Sequence, residues 1–348
     1  MKNSQIYYSV GALLYCPANN QSVANSIINN RFGCQYSMAL CLEDTINDNC
    51  VREAEQTLLN SLKKIYSARE HKDFFLPKIF IRIRDARHLA RIDSLLSEVS
   101  ELIEGYILPK FSMDNAGPYI NTIKDINDKK SKPVFAMPIF ESPSIIPLNT
   151  RYDILYKLKD ELSSIEEHVL NIRVGGNDLC NVFGFRRNSE QSIHDIKPIS
   201  QIFSDIITVY GTDYVISGPV WEYFNGDNWK SGLEKELAED MLCGFCGKTV
   251  IHPNQIPVVN EAYRVSKKDF LSASAILNWD KNSSSLVSSD TAKERMNEYK
   301  THFNWALKIL NLAEVYGIKE EPCVNTPDFY INRSHRKPMH NAASLTTF

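Results

Sequence analysis

Apolar residues fall along the chain in short runs separated by longer amphipathic stretches. The first run covers residues 12–16 and closes at Pro17-Ala18-Asn19-Asn20, a turn that can start a helix near Ser22. A second run, 35–42, ends in Glu43-Asp44. Residues 51–66 then place Ala54, Leu58, Leu59, Leu62 and Ile65 on one helical face. A third strand is predicted over 78–84, a helix over 86–103, a fourth strand over 105–110, a helix near 119–128 and a fifth strand over 134–139. A helix over 152–164 leads to a sixth strand at 170–174, and a helix over 199–209 to a seventh at 213–217. The amphipathic stretch 233–242 precedes an eighth strand within 247–253. Strict strand–helix alternation of this number predicts an α/β fold, a (β/α)8 TIM barrel whose active-site loops gather at the C-terminal ends of the strands. The alternative is an open doubly wound sheet, but no Gly-x-Gly-x-x-Gly follows the first strand.

Beyond Ser266 the alternation stops. Residues 290–312 read as one charged amphipathic helix with Met296, Phe303, Ala306, Ile309 and Leu310 on its apolar side. The expected organisation is therefore a barrel over 1–265, a C-terminal helical extension over 266–324, and a tail over 325–348 that is mobile or laid over a neighbouring surface.

Candidate chemistry gathers at the predicted strand ends. The sixth strand breaks at Gly175-Gly176, where the backbone can approach a ligand, and Asn177-Asp178 follows at the start of a helix. The other strand ends carry Glu43 and Asp44 (second), Arg82 or Arg84 (third), Lys110 (fourth), Glu141 (fifth), Glu222 (seventh) and His252 (eighth). Several acids on one face call for a cation, and hard oxygen ligands suit Mg²⁺ or Mn²⁺. Glu141 and Asp178 are the candidate ligands, although an acid after a strand is often only a helix N-cap. Arg82 reads as a bidentate partner for a substrate carboxylate or as a surface ion pair, and His252 as a packed, hydrogen-bonded histidine more than a catalytic one.

Composition narrows the partners. The 348 residues carry a net charge of −3 and 43% hydrophobic residues, an ordinary globular balance with no electrostatic call for nucleic acid or an anionic membrane. No run approaches the roughly 20 apolar residues of a membrane span and no secretion signal opens the chain, so it reads as cytoplasmic. The eight cysteines are scattered, which suits a reducing compartment. Cys243-Gly244-Phe245-Cys246 has no second pair and reads as two small residues beside a turn more than a redox or zinc motif.

An ordered set of pieces then resembles the citrate lyase beta-subunit family of the HpcH/HpaI aldolase superfamily. They are Cys16-Pro17-Ala18-Asn19, Leu42-Glu43-Asp44, Ile81-Arg82-Ile83, Leu108-Pro109-Lys110, Ile139-Phe140-Glu141-Ser142, Gly175-Gly176-Asn177-Asp178-Leu179 and the run from Gly244 to Gln255. The longer pieces, among them Ser217 to Glu222 and Met296 to His302, are similar to a divergent carbon–carbon bond lyase-like branch associated with bacterial stress or tellurite-resistance clusters. The resemblance implies a TIM barrel assembled as a homo-oligomer, a trimer or hexamer. It implies Mg²⁺ held by Glu141 and Asp178, Arg82 facing substrate oxygen, and Glu43 and Asp44 beside the metal's water. Backbone N–H groups around Gly176 and Asn177, with Lys110, would hold a substrate carboxylate. Such enzymes make or break a bond between a 2-oxo acid and an acetyl-like enolate, often a thioester. Cys41 replaces the first acid of the family's Asp-Leu-Glu-Asp, Arg84 an asparagine and Ser142 a threonine, which implies a changed substrate with an extra anionic group. Three readings follow: a Mg²⁺-dependent lyase or the reverse condensing enzyme, a catalytically silent barrel that binds an acidic metabolite or a partner protein, and, more weakly, phosphoryl chemistry.

Overall fold

The computed structural model describes residues 4–33, 35–290 and 293–320. After a short helix α1 (Gln5–Tyr8), β1 (Ala12–Pro17) leads through α2 (Val23–Ile28) to β2 (Ser37–Cys41) and α3 (Val51–Ala68). Then follow β3 (Lys78–Arg82), α4 (Ala86–Leu95), β4 (Ile103–Leu108), α5 (Ala116–Asn127), β5 (Phe135–Phe140) and α6 (Leu148–Ser163). The second half runs β6 (Ile172–Val174), α7 (Gly176–Phe183), α8 (Lys197–Tyr210), β7 (Ile216–Val220), α9 (Trp229–Cys243), β8 (Lys248–Val250) and α10 (Gln255–Tyr263). The eight strands form a closed parallel barrel in sequence order, with β1 returning to β8 through Ala12↔Lys248, Leu13↔Thr249 and Leu14↔Val250. Closure leaves no strand edge unpaired, which excludes the open sheet.

Alternation along each strand divides the core in two. Leu13, Ala39, Phe80, Ile107, Met137 and Ile139 fill the barrel interior. Their neighbours Leu14, Leu40, Ile81, Tyr106, Phe140 and Val250 face the helix layer. Inward positions nearer the strand ends carry Arg82, Glu141 and Arg173, so the polar site sits on an apolar plug.

Two expectations change. The helix predicted over 86–103 stops at Leu95, gives way to a 3-10 stretch (Ser97–Leu102) with Val99 at φ −120°, and yields to β4 two residues before the predicted strand start. The single helix over 290–312 is replaced by a hairpin of β9 (Val287–Ser289) and β10 (Met296–Glu298), with α11 (Lys267–Leu277) before it and α12 (Tyr299–Tyr316) after it. The Asp290 carboxylate accepts from the backbone N–H groups of Glu294 (2.8 Å) and Arg295 (3.4 Å), a local alternative to helical hydrogen bonding. The helix therefore starts at Tyr299 and packs on α11, α1 and α10. The tail over 325–348 lies outside the described residues. Cys243 is exposed and Cys246 buried, both free. No described helix is long and apolar enough to cross a membrane.

Candidate active site

Arg82, Glu141 and Asp178 line one cavity of about 180 Å³ at the C-terminal end of the barrel, with Tyr15, Arg173, Gly175, Gly176, Asn177 and Thr249 among its other walls. Glu141 follows β5 and is 3% exposed. Its Oε1 accepts from Arg82 Nη2 at 3.2 Å and from the Lys110 backbone N–H at 3.0 Å. Lys110 holds φ +50°, a left-handed conformation that costs a non-glycine residue about 1 kcal/mol and here aims that N–H at the carboxylate. Oε2 of Glu141 has no hydrogen-bond partner among the described residues.

Arg82 is 8% exposed and meets Glu43 at 2.8 Å, Asp44 at 3.2 Å and Glu141 at 3.2 Å, with its guanidinium 5.9 Å above the Tyr15 ring. Its Nε is buried without a partner. Lys110 Nζ donates to Glu43 Oε1 (2.6 Å) and Asp44 Oδ1 (2.9 Å), so the second and fourth strand ends are tied by one cation. Asp178 stands in the first turn of α7, where the N–H groups of Gly176, Asn177 and Asp178 have no intrahelical acceptor.

The electrostatics separate the acids. Burial pushes Glu141 up to about 8, against the pull of Arg82 and with added repulsion from Asp178. Burial also raises Glu43, although Arg82 and Lys110 oppose it. Asp44 is partly buried, but hydrogen bonds from its neighbours and Lys110 outweigh burial and hold it below the ordinary carboxylate value. Two neighbouring carboxyls thus have opposite tendencies, one towards keeping a proton and one towards staying ionised.

The donor set fits a hard divalent cation. Two carboxylates border one cavity, one with a free oxygen, and among the described residues no group of three or more His, Cys, Asp or Glu side chains is placed to enclose a metal. Mg²⁺ commonly takes one or two protein carboxylates and completes its shell with water and substrate oxygens. Close packing makes this arrangement fragile: a Cβ on Gly175 would sit 2.2 Å from Glu141 Oε2 and 2.3 Å from its Cβ. Gly175→Ala is expected to push Glu141 aside, lower stability by about 1–3 kcal/mol and weaken Mg²⁺ binding at least tenfold. A thermal melt and a metal titration check both effects, and an unchanged Mg²⁺ affinity would detach Gly175 from the site.

The remaining strand-end residues lie apart from this group. Arg84 donates to the Leu42 carbonyl (3.2 Å) and pairs with Asp48, so the extra positive charge inferred from the sequence faces away from the cavity. Glu222 faces Arg186 at 3.5 Å, and His252 stacks on Phe224 with ring centroids 4.7 Å apart. Cys41 is fully buried on the inward face of β2. Sequence reasoning passed over Arg173, Tyr15 and Thr249. The signal was available in an arginine between Ile172 and Val174, at the position of a barrel strand that alternation turns inward.

The model of the C-C bond lyase family of the TIM-barrel fold matches residues 4–318. Among solved structures the chain is similar to CitE of Mycobacterium tuberculosis in complex with magnesium, acetoacetate and coenzyme A, at 17% identity over 88% of this chain and 99% of that chain, with a TM-score of 0.58. It is similar to the citrate lyase beta subunit of the same organism complexed with oxaloacetate and magnesium, at 18% identity over 75% and 100% of the two chains and a TM-score of 0.50. It is also similar to a citrate lyase of Burkholderia xenovorans LB400, at 14% identity, 89% and 93% coverage and a TM-score of 0.65. At such identities these likenesses speak for the fold alone. No curated protein sequence matches the chain. A closed eight-stranded barrel with a helical C-terminal segment, matched from residue 4 to residue 318, places the chain in the carbon–carbon bond lyase family of TIM-barrel proteins.

Proposed function

We propose that this chain is a Mg²⁺-dependent carbon–carbon bond lyase, or the reverse condensing enzyme, acting on a small 2-oxo acid or an acidic metabolite derived from an acyl thioester. The carrying observation is that Glu141 and Asp178, on different strand ends, border one cavity that the Arg82 guanidinium also lines, paired with Glu141 at 3.2 Å. Mg²⁺ (or Mn²⁺), when bound by Glu141 and Asp178, supplies Lewis-acid stabilisation of negative charge on a substrate oxygen. Arg82 adds a fixed positive charge, and its unpartnered Nε is the donor left for that oxygen. The N–H groups of Gly176, Asn177 and Asp178 at the start of α7 hold a substrate carboxylate. Of the neighbouring pair Glu43 and Asp44, Glu43 is the one that burial raises and is the group to give or take a proton, while Asp44 stays ionised and keeps Lys110 in place.

Calorimetric titration of the metal-free protein with Mg²⁺ and oxaloacetate or pyruvate tests this. Metal-dependent binding is expected in the wild type and lost in Asp178→Ala. Binding of neither ligand by folded protein would favour a silent barrel. Because Glu141 must be ionised to ligate, Mg²⁺ affinity should rise with pH through about 8 and level off above it, with proton uptake by buffer on binding at pH 7. A flat pH profile from 6.5 to 9 would remove Glu141 from the ligand set.

A further inference from the structure

Every other buried lysine or arginine among the described residues faces a carboxylate. Arg82 pairs with Glu43 and Glu141, Arg151 with Asp205 at 2.7 Å, Arg187 with Glu236 at 3.0 Å, and Lys248 with Glu236 and Asp240 at 2.7 and 2.6 Å. Arg173 is 1% exposed and has no carboxylate partner among the described residues. One Nη donates to Thr249 Oγ1 at 2.6 Å, across the barrel interior from β6 to β8. The other is buried with no hydrogen-bond partner, and the polar groups that act on the guanidinium besides Thr249 are the Tyr15 and Tyr263 hydroxyls and the Arg82 cation, none of them a carboxylate. Burying a guanidinium without a counter-charge is costly, and a fold gains nothing from it that a methionine would not give. The residue also lines the cavity that holds Glu141 and Asp178.

Register fixes its place there. Arg173 pairs with Ile139, two residues before Glu141, so its side chain leaves the barrel wall about 6–7 Å below the carboxylate. We propose that Arg173, with Thr249 and Tyr15, forms an anion subsite at the inner end of the pocket that receives a second anionic group of the substrate, a carboxylate or a phosphate. The planar fork of an arginine matches either oxyanion, and Thr249 fixes one prong while leaving the other free. A cavity of about 180 Å³ is below the size of drug-like sites, so the two anionic groups belong to one short molecule, with the second held apart from whatever lies between Glu141 and Asp178. This deepens the substrate side of the proposed function and rests on the same pocket.

The test separates the subsite from the metal. Metal-free protein at pH 7 is titrated calorimetrically with inorganic phosphate and with malonate. At least one anion is expected to bind, with affinity at least tenfold lower in Arg173→Gln and reduced in Thr249→Val. Asp178→Ala, which removes a negative charge from the pocket, should retain or strengthen that binding while losing Mg²⁺. Tighter phosphate binding points to a phosphate-bearing substrate and tighter malonate binding to a dicarboxylate. Thermal melts report folding, and Arg173→Gln is expected to be at least as stable as wild type, which a structural arginine would not be. If that variant does not fold, Thr249→Val decides. Binding of neither anion, or equal binding to wild type and the variant, overturns the subsite. Anion binding without any Mg²⁺ binding would instead leave the subsite standing and overturn the metal-dependent reading.

Discussion

Glu141→Gln is expected to abolish Mg²⁺-dependent ligand binding and turnover, by about 100-fold or more, while the folded protein becomes more stable above pH 6. The two effects have one cause. Loss of a neighbour of a metal ligand typically costs 10–100-fold, so loss of a ligand itself costs at least the upper end. Glutamine keeps the shape, and its carbonyl can still accept from Arg82 and the Lys110 N–H, but it cannot supply an anionic oxygen. On the stability side, Glu141 is raised to about 8 chiefly by burial, so the folded state holds a proton that the unfolded chain releases near its ordinary value. Its contribution is present in full below that ordinary value and is lost as pH rises through about 8. Glutamine carries no such loss. The melting-temperature difference between variant and wild type should therefore widen from pH 5 to pH 8 in metal-free buffer and then plateau, and saturating Mg²⁺ should raise only the wild type. A variant that still gains stability from Mg²⁺ would show that the metal lies elsewhere.

Legibility in the sequence followed the physics that each feature depends on. The barrel was readable because strand–helix alternation is local: eight apolar runs predicted eight strands, with boundaries shifted mostly by a few residues. Glu43, Asp44, Arg82, Lys110, Glu141 and Asp178 could be named because a strand-end position follows from the alternation itself, and the cavity brings Arg82, Glu141 and Asp178 together. Asp290 was misread because its carboxylate serves two backbone N–H groups a few residues on, and helical periodicity does not register that competition. Arg173 was passed over for a different reason. Its inward position was implied by Ile172 and Val174, but its lack of a counter-charge depends on which side chains β8 and β1 bring across the barrel. Lys110 contributes through a backbone N–H whose direction rests on a positive φ, a property that its side chain does not encode.

The buried charges behind β8 were equally hidden, and they give the largest expected stability effect: Lys248→Met should cost about 3–5 kcal/mol at pH 7. Glu236 and Asp240 stand four residues apart on α9 and look like a solvated helical face, yet both are fully buried against the barrel. Asp240 comes this close to β7 because Gly218 has no side chain; a Cβ there would lie 2.6 Å from Asp240 Oδ2. Lys248 bridges the two acids, Arg187 and the Ile193 N–H also serve Glu236, and His194 lies 2.8 Å from Asp240. Burial would raise Asp240, but Lys248 and His194 outweigh it and hold the carboxyl below its ordinary value. Methionine fills similar volume but leaves two buried carboxylates sharing less positive charge, a penalty of desolvation that packing does not return. Lowering the pH lets the abandoned Asp240 take a proton, so the deficit should shrink between pH 7 and pH 5. Thermal melts at the two pH values read this directly. An equally stable methionine variant would mean that the ion network only repays its own desolvation, as some buried networks do. The next residue, Thr249, turns inward to Arg173, so a β8 that loses its anchor to α9 also loosens one wall of the pocket. Lys248→Met should accordingly weaken anion binding as well as stability, and the two losses together would trace the path from a buried helix–barrel contact to the substrate site.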